Sequence, residues 1–230
     1  MATVAAGVAL IPSRQAIEAL CRLNSEINGK SRSGFMLRRR GRLLPHLSLF
    51  QGVFPKGSMG KISAAACAAA AGKGGFRAAE AKGISVWAGR IFFLEVKKSP
   101  GLARLHRQML ARLAPLRVPG AGTADPQKFR SISKKERHSL RKYAYPFAGA
   151  AFRPHFTLGR ARGRALGAKK LARGLEELCA PIRLIKFERL AVFEVGRYGR
   201  FERQIASYKI RERGAGRFKA WKAATSQAGA

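Results

Sequence analysis

Two stretches of the chain, Pro45-His46-Leu47-Ser48-Leu49 and Pro154-His155-Phe156-Thr157-Leu158, follow one pattern: proline, histidine, an apolar residue, a hydroxyl residue and leucine. They hold two of only four histidines among 230 residues. Ordinary residue frequencies would produce that coincidence about one time in a thousand or less. The chain therefore reads as two equivalent halves, each presenting the same short strand. Side chains alternate across a strand, so His46 and Ser48 share one face while Leu47 and Leu49 share the other. His155 and Thr157 are likewise set against Phe156 and Leu158. Each strand offers an imidazole and a hydroxyl to one side and apolar groups to the core.

The surrounding sequence repeats an order of strand and helix. Val4 to Ile11 is a short apolar run closed by Pro12, which suits a buried strand. Ser13 can cap a helix over Arg14 to Ile27, with Ile17, Leu20, Cys21 and Ile27 roughly on one face and Asn28-Gly29 as its stop. Residues 30–42 read as an exposed loop, and Pro45 to Phe54 as a second strand. Alanine propensity predicts a helix from Ser58 to Ala71, ended by Gly72, Gly74 and Gly75. Ile84 to Val86 and Ile91 to Val96 form a hairpin around Ala88-Gly89. Ser99-Pro100 opens a helix over Gly101 to Leu113. Ser133 with Glu136 makes a capping box for a basic helix to about Tyr143. Phe152 to Leu158 is then a strand, Ala165 to Cys179 a helix, and Ile182 to Val195 with Phe201 to Ile210 an antiparallel pair. This divides the chain into an N-terminal lobe over residues 1–116, a linker over 117–130, a C-terminal lobe over 131–210 and a basic tail over 211–230.

Charge speaks about partners. With 46 Lys and Arg against 12 Asp and Glu the formal net charge is +34, which implies a polyanion, nucleic acid ahead of an anionic membrane surface. The content of 47% hydrophobic residues is enough for a core and excludes charge-driven disorder of the whole chain. Cys21, Cys67 and Cys179 lie far apart and give neither a disulfide framework nor a zinc knuckle. They read as thiols in a reducing compartment, the cytoplasm, or an organellar matrix if the acid-poor N-terminus acts as a presequence. No apolar run approaches the roughly 18 residues of a membrane span. Gly72 to Gly75 lacks the Lys-Ser/Thr of a P-loop. We expect no metal and no cofactor, RNA or another phosphodiester as partner, no membrane, and a monomer.

Paired His-x-Ser/Thr motifs on duplicated strand-helix-strand halves resemble the 2H phosphoesterase superfamily, which includes bacterial RNA 2′,3′-cyclic phosphodiesterases also described as 2′-5′ RNA ligases. The resemblance runs over roughly Val4 to Ile210, and its specific part is the two motifs. It implies an α+β fold of two lobes, antiparallel sheets with flanking helices, and a central cleft in which the histidines face one another across a phosphate. It implies His46 and His155 as the acid/base pair, and Ser48 and Thr157 as ligands of phosphate oxygens. A second likeness, carried by Tyr143-Ala144-Tyr145-Pro146-Phe147 ahead of Phe152-Arg153-Pro154-His155, is to a branch associated with phosphonate utilisation.

The chemistry agrees. Opening a cyclic phosphodiester in water needs one group to accept the proton of the attacking water and another to protonate the leaving ribose oxygen. Two imidazoles can divide that work near neutral pH. Arg153, two residues before His155, is expected on the histidine face as a phosphate clamp, with Arg160 as the second choice. Arg42 and its neighbours Arg38, Arg39 and Arg40 precede the first motif and are expected to gather substrate. Phe50, on the face of His46 and Ser48 by strict alternation, is expected to stack on a base, whereas Phe156, Trp87, Phe92 and Phe93 are expected in the core. His106 and His138 are expected to have no catalytic role. Three functions follow, in order: a metal-independent phosphodiesterase or ligase acting on RNA ends, a non-catalytic RNA-binding component of a ribonucleoprotein, and a small-molecule cyclic phosphodiesterase linked to phosphonate metabolism.

Overall fold

The computed structural model describes residues 2–31, 35–71, 76–122, 132–161, 170–175, 179, 182–196 and 199–210. Among these, strands and helices follow in the order β1 (Thr3–Pro12), α1 (Arg14–Ser31), β2 (Leu47–Pro55), α2 (Met59–Ala71), β3 (Ala78–Trp87), β4 (Ile91–Val96), α3 (Pro100–Leu113), α4 (Lys134–Tyr143), β5 (His155–Arg160), β6 (Leu184–Val195) and β7 (Phe201–Lys209). The expected linker from residue 123 onward, parts of the helix expected over Ala165 to Cys179, Gly72 to Gly75, Arg162, Arg164 and the basic tail lie outside the described residues.

Local chemistry explains most boundaries. Ala88 (φ 47°) and Gly89 (φ 74°) both adopt left-handed backbone, the geometry of the tight turn that joins twisted antiparallel strands. The Ser99 side chain accepts the Leu102 N–H at the start of α3, and Ser133 with Glu136 forms a reciprocal capping box on α4. Two expectations are corrected. Helix α1 runs through Asn28-Gly29 to Ser31. There the Asn28 amide turns back to the Asn24 carbonyl at 2.9 Å and reaches the Phe35 carbonyl at 2.7 Å, so it braces the last turn rather than ending it. Strand β3 begins at Ala78, ahead of Ile84, because Ala78–Glu80 pairs with Leu184–Lys186 of β6.

The sheet is antiparallel throughout, in the order β1-β2-β5-β4-β3-β6-β7, and β6 also pairs with β1. It is the α+β architecture of antiparallel strands and flanking helices that the sequence implies. The chain crosses between its own ends: β1 and β2 lie beside β6 and β7, and β3 and β4 beside β5. At the centre β2 meets β5 through Leu47 opposite Phe156. Strand β1 beside β2 is matched by β4 beside β5, and α1 by α3, as duplication requires. Leu20 and Ile27 of α1, Leu102 and Met109 of α3, and Leu47, Phe50, Phe156 and Leu158 of the central strands fill one core. Fully burying each such side chain contributes about 1.5–3 kcal/mol. A smaller cluster of Ala9, Ile11, Leu44, Phe193 and Phe201 lies beside the first motif. Among the described residues no helix is long and apolar enough to cross a membrane.

Candidate active site

The antiparallel register of Leu47 with Phe156 brings the two motifs together at the middle of the sheet. In such a pair His46 stands opposite Thr157 and Ser48 opposite His155, all four on one face. Burial follows: His46, Ser48, His155 and Thr157 are partly exposed, whereas Leu47, Leu49, Phe156 and Leu158 are buried. One small pocket is lined by both His46 and Thr157, together with Phe35, Leu44, Arg200 and Phe201. The four residues singled out by the repeated motif thus lie together on one face of the sheet.

Both imidazoles are held in the same way. The His46 Nδ1 donates to the Leu44 carbonyl at 2.9 Å, and the His155 Nδ1 donates to the Arg153 carbonyl at 2.7 Å. A carbonyl oxygen only accepts, so the neutral rings carry their proton on Nδ1 and keep a lone pair on Nε2. The His46 ring lies 5.0 Å from Phe193 and 5.6 Å from Phe201. The His155 ring stacks on Phe93 at 3.7 Å and meets Phe147 edge-on at 4.7 Å. Burial pushes both pKa values below the ordinary 6.5, that of His155 to about 4. At His46, backbone hydrogen bonds to Leu44 and Gly199 oppose that shift. At His155 the Arg153 carbonyl and the Glu95 carboxylate oppose it, whereas charge on Arg153 and on His46 adds to it.

Four expected binding residues need separate accounts. Phe50 is fully buried and packs edge-on against Tyr143 and Tyr145, so it cannot stack on a base. The reason is a β-bulge: Ala9 of β1 pairs with Ser48 but Val8 pairs with Phe50, leaving Leu49 as an extra residue that reverses the alternation beyond it. Gln51 takes the face meant for Phe50, and its Nε2 donates to Ser48 Oγ at 2.8 Å. Arg153 is engaged by protein acids: its guanidinium donates to Glu95 and to Ser85, lies 3.9 Å from Glu136 and sits over the Phe93 ring. Glu95 and Phe93 stand opposite His155 and Thr157, so Arg153 lies on the histidine face, as expected. Arg42 is exposed and ion-paired with Glu202 of β7. Such a surface pair contributes about 0.2–1 kcal/mol, which a phosphate can outcompete. Arg160 pairs with Ile91 across a second bulge, at Leu158, between Phe92 opposite Gly159 and Phe93 opposite Thr157. Ile91 is on the side of Phe93, so Arg160 shares the face of His155 and Thr157.

Other residues of the site escaped sequence reasoning. The Tyr145 phenol is buried and hydrogen-bonded to Ser48, and burial holds its pKa well above the ordinary value. Phe147 packs on His155. Thus the Tyr143-to-Phe147 segment, noticed in the sequence only as a likeness, touches both motifs. Phe93, expected as plain core, is also the floor under His155. Among the described residues no cluster of three His, Cys, Asp or Glu side chains converges.

Comparison with known proteins agrees with this geometry. The fold is similar to that of TT0787 from Thermus thermophilus, at 17% identity and a TM-score of 0.55, covering 92% of this chain and 100% of that one. Similar too are E. coli LigT, solved with 3′-AMP, at 11% identity and a TM-score of 0.51, and a protein described as a phosphoesterase at 12% and 0.52. Both cover 92% of this chain and 100% of their own. No curated protein matches at the level of sequence. A family profile described as Protein of unknown function (DUF1045) matches residues 55–202, which takes in the second motif and begins after the first. The chain belongs to that family, and the fold it carries is the 2H phosphoesterase fold implied by its two His-x-Ser/Thr motifs.

Proposed function

We propose that this protein is a metal-independent phosphodiesterase that opens 2′,3′-cyclic phosphates at RNA ends, with His46 and His155 as general acid and base. The observation that carries the reading is the pair of rings each fixed with Nδ1 on a backbone carbonyl, each beside a hydroxyl on one sheet face. Water attacks phosphorus as one ring P–O bond breaks, leaving a phosphomonoester and a free neighbouring hydroxyl. His155, held neutral by burial and by the charge of Arg153, takes the water proton. His46, whose two backbone hydrogen bonds favour the charged ring, gives a proton to the leaving ribose oxygen once a bound phosphate supports its charge. Gln51 and the protonated Tyr145 both bond Ser48. With both as donors the serine oxygen is filled, and its own proton is left for a phosphate oxygen. Thr157 and Arg160 complete the phosphate contacts. Ring opening by a ribose 5′-hydroxyl in place of water, with the 3′-oxygen leaving, would join two ends through a 2′-5′ linkage and would use the same groups.

The test is to incubate the purified protein, in excess EDTA, with an oligoribonucleotide ending in a 2′,3′-cyclic phosphate, and to identify the product end. A nucleoside 2′,3′-cyclic monophosphate serves as the small-molecule arm. Conversion should persist in EDTA. His46→Ala or His155→Ala should each lower turnover by about 10² to 10⁴-fold, with the double variant only modestly worse. Activity that returns only with added divalent metal, or a single variant that keeps more than about half of the rate, would end the two-histidine reading.

A further inference from the structure

Each motif strand carries its extra residue directly after the hydroxyl residue, Leu49 after Ser48 and Leu158 after Thr157. A bulged residue drops out of the ladder, and in both cases its carbonyl is taken by a buried polar side chain on a helix. His106 of α3 donates from Nδ1 to the Leu49 carbonyl at 2.7 Å. Asn24 of α1 donates from Nδ2 to the Leu158 carbonyl at 2.5 Å.

The remaining bonds cross to the opposite motif. His106 Nε2 accepts the Gly149 N–H at 2.9 Å, and the ring lies flat on Phe152 at 3.9 Å, on the segment that leads into His155. Asn24 Oδ1 accepts the Leu37 N–H at 2.7 Å, and its Nδ2 also reaches the Phe35 carbonyl at 2.7 Å, on the segment that leads into His46. So His106 joins the bulge of the first motif to the approach of the second, and Asn24 joins the bulge of the second to the approach of the first.

We propose that Asn24 and His106 are a reciprocal pair of positioning residues, each holding one motif in register against the other so that the two half-sites form as one unit. Asn24 is 0% exposed and His106 1%. Both sit on apolar helix faces, where polar groups are unfavourable unless every bond is made. The partners also fix the chemistry of His106: a carbonyl at Nδ1 and an N–H at Nε2 admit only the neutral Nδ1–H ring. The bulges decide which residues reach the site. Without the first, alternation would return Phe50 to the face of Ser48 and remove Gln51; without the second, Arg160 would leave the face of Thr157.

The inference rests on the phosphodiesterase reading for its kinetic effect but not for its spectroscopic one. Ring-nitrogen NMR spectra of the full-length protein at neutral pH report the Nδ1–H tautomer of His46 and His155 without substrate. In His106→Leu and in Asn24→Asp, both histidines should lose the fixed tautomer, and kcat should fall by up to about 10²-fold with little change in KM. His106→Asn, which keeps a donor for the Leu49 carbonyl, should restore much of both, and it decides the matter if His106→Leu does not fold. Leu20→Ala and Leu102→Ala leave equal-sized defects one turn before Asn24 in α1 and His106 in α3 without removing a bond to either bulge, and should lower thermal stability while leaving the tautomers unchanged. Signals that stay fixed in both positioning variants, that change only in one motif, or that change equally in the leucine variants would overturn the proposal. An inactive wild type with the expected spectra would sink the phosphodiesterase reading alone.

Discussion

Arg153 and Arg160 flank the second motif, and their surroundings give them different work. The Arg153 guanidinium lies among Glu95, Glu136 and Ser85 and over the Phe93 ring. Glu136 in turn accepts from Trp87 Nε1 at 2.9 Å. Removing Arg153 therefore leaves two partly buried carboxylates without their cation, a loss of about 1–3 kcal/mol. Its effect on the reaction runs through Phe93 and the carbonyl that holds His155. Arg160 shares the face of His155 and Thr157, where, in the proposed reaction, negative charge would build as phosphorus is attacked. Arg160→Ala should lower kcat by about 10-fold or more with thermal stability near wild type, whereas Arg153→Ala should lower thermal stability first. Paired kinetics and melting curves decide this. An Arg160→Ala enzyme of normal kcat beside an Arg153→Ala enzyme that melts normally but turns over poorly would return the clamp to Arg153.

At the scale of elements the site depends on strands that approach more closely than side chains normally permit. Gly7 of β1 is opposite Gln51 in the register, and a methyl group there would lie 2.9 Å from the Phe193 ring and 3.0 Å from Gln51 Cγ. Phe193 is fully buried and stacked on Phe201, so it has little room to yield. Gly7→Ala should cost about 1–3 kcal/mol by overpacking and should lower turnover as well, since Gln51 would be pushed off Ser48. A melting temperature within error of wild type would show that the ring moves freely and that the contact is slack. The same elements define what the sequence could tell. The motif strands, the Ala88-Gly89 turn and the Ser133 cap were legible because each follows from local chemistry: alternation, left-handed backbone, a side chain within reach of an N–H. The bulges at Leu49 and Leu158 were not: Gly159 sits at the second but nothing local marks the first, and the side chains that take the two freed carbonyls lie on helices far away in the chain. Phe50 was misplaced for that reason, strict alternation having been carried across a bulge. A signal for Asn24 and His106 was present, since each is a polar residue at a buried position of an otherwise apolar helix face.

The whole molecule carries a net charge of +34, and among the described residues most of the acids are already engaged: Glu18 with Arg14, Glu80 with Lys97, Glu95 with Arg153, Glu194 with Arg203 and Glu202 with Arg42. The remaining cations repel one another in the folded state, which weakens compaction, and they attract polyanions, which promotes binding. Salt screens both effects, with opposite consequences for the two measurements. Between about 50 and 200 mM salt the affinity for single-stranded RNA should fall steeply, with a slope near −0.7 in log K against log salt for each phosphate engaged. Over the same range the melting temperature of the free protein should rise, because self-repulsion is being relieved. Fluorescence titration with a labelled oligoribonucleotide and a thermal melt in matched buffers provide the pair of curves. RNA affinity that hardly changes with salt would mean that the charge is not used on a phosphate backbone, and would favour the small cyclic phosphodiester as substrate. A melting temperature that falls with salt would mean that the five ion pairs outweigh the repulsion, so that the excess charge does not strain the fold at all.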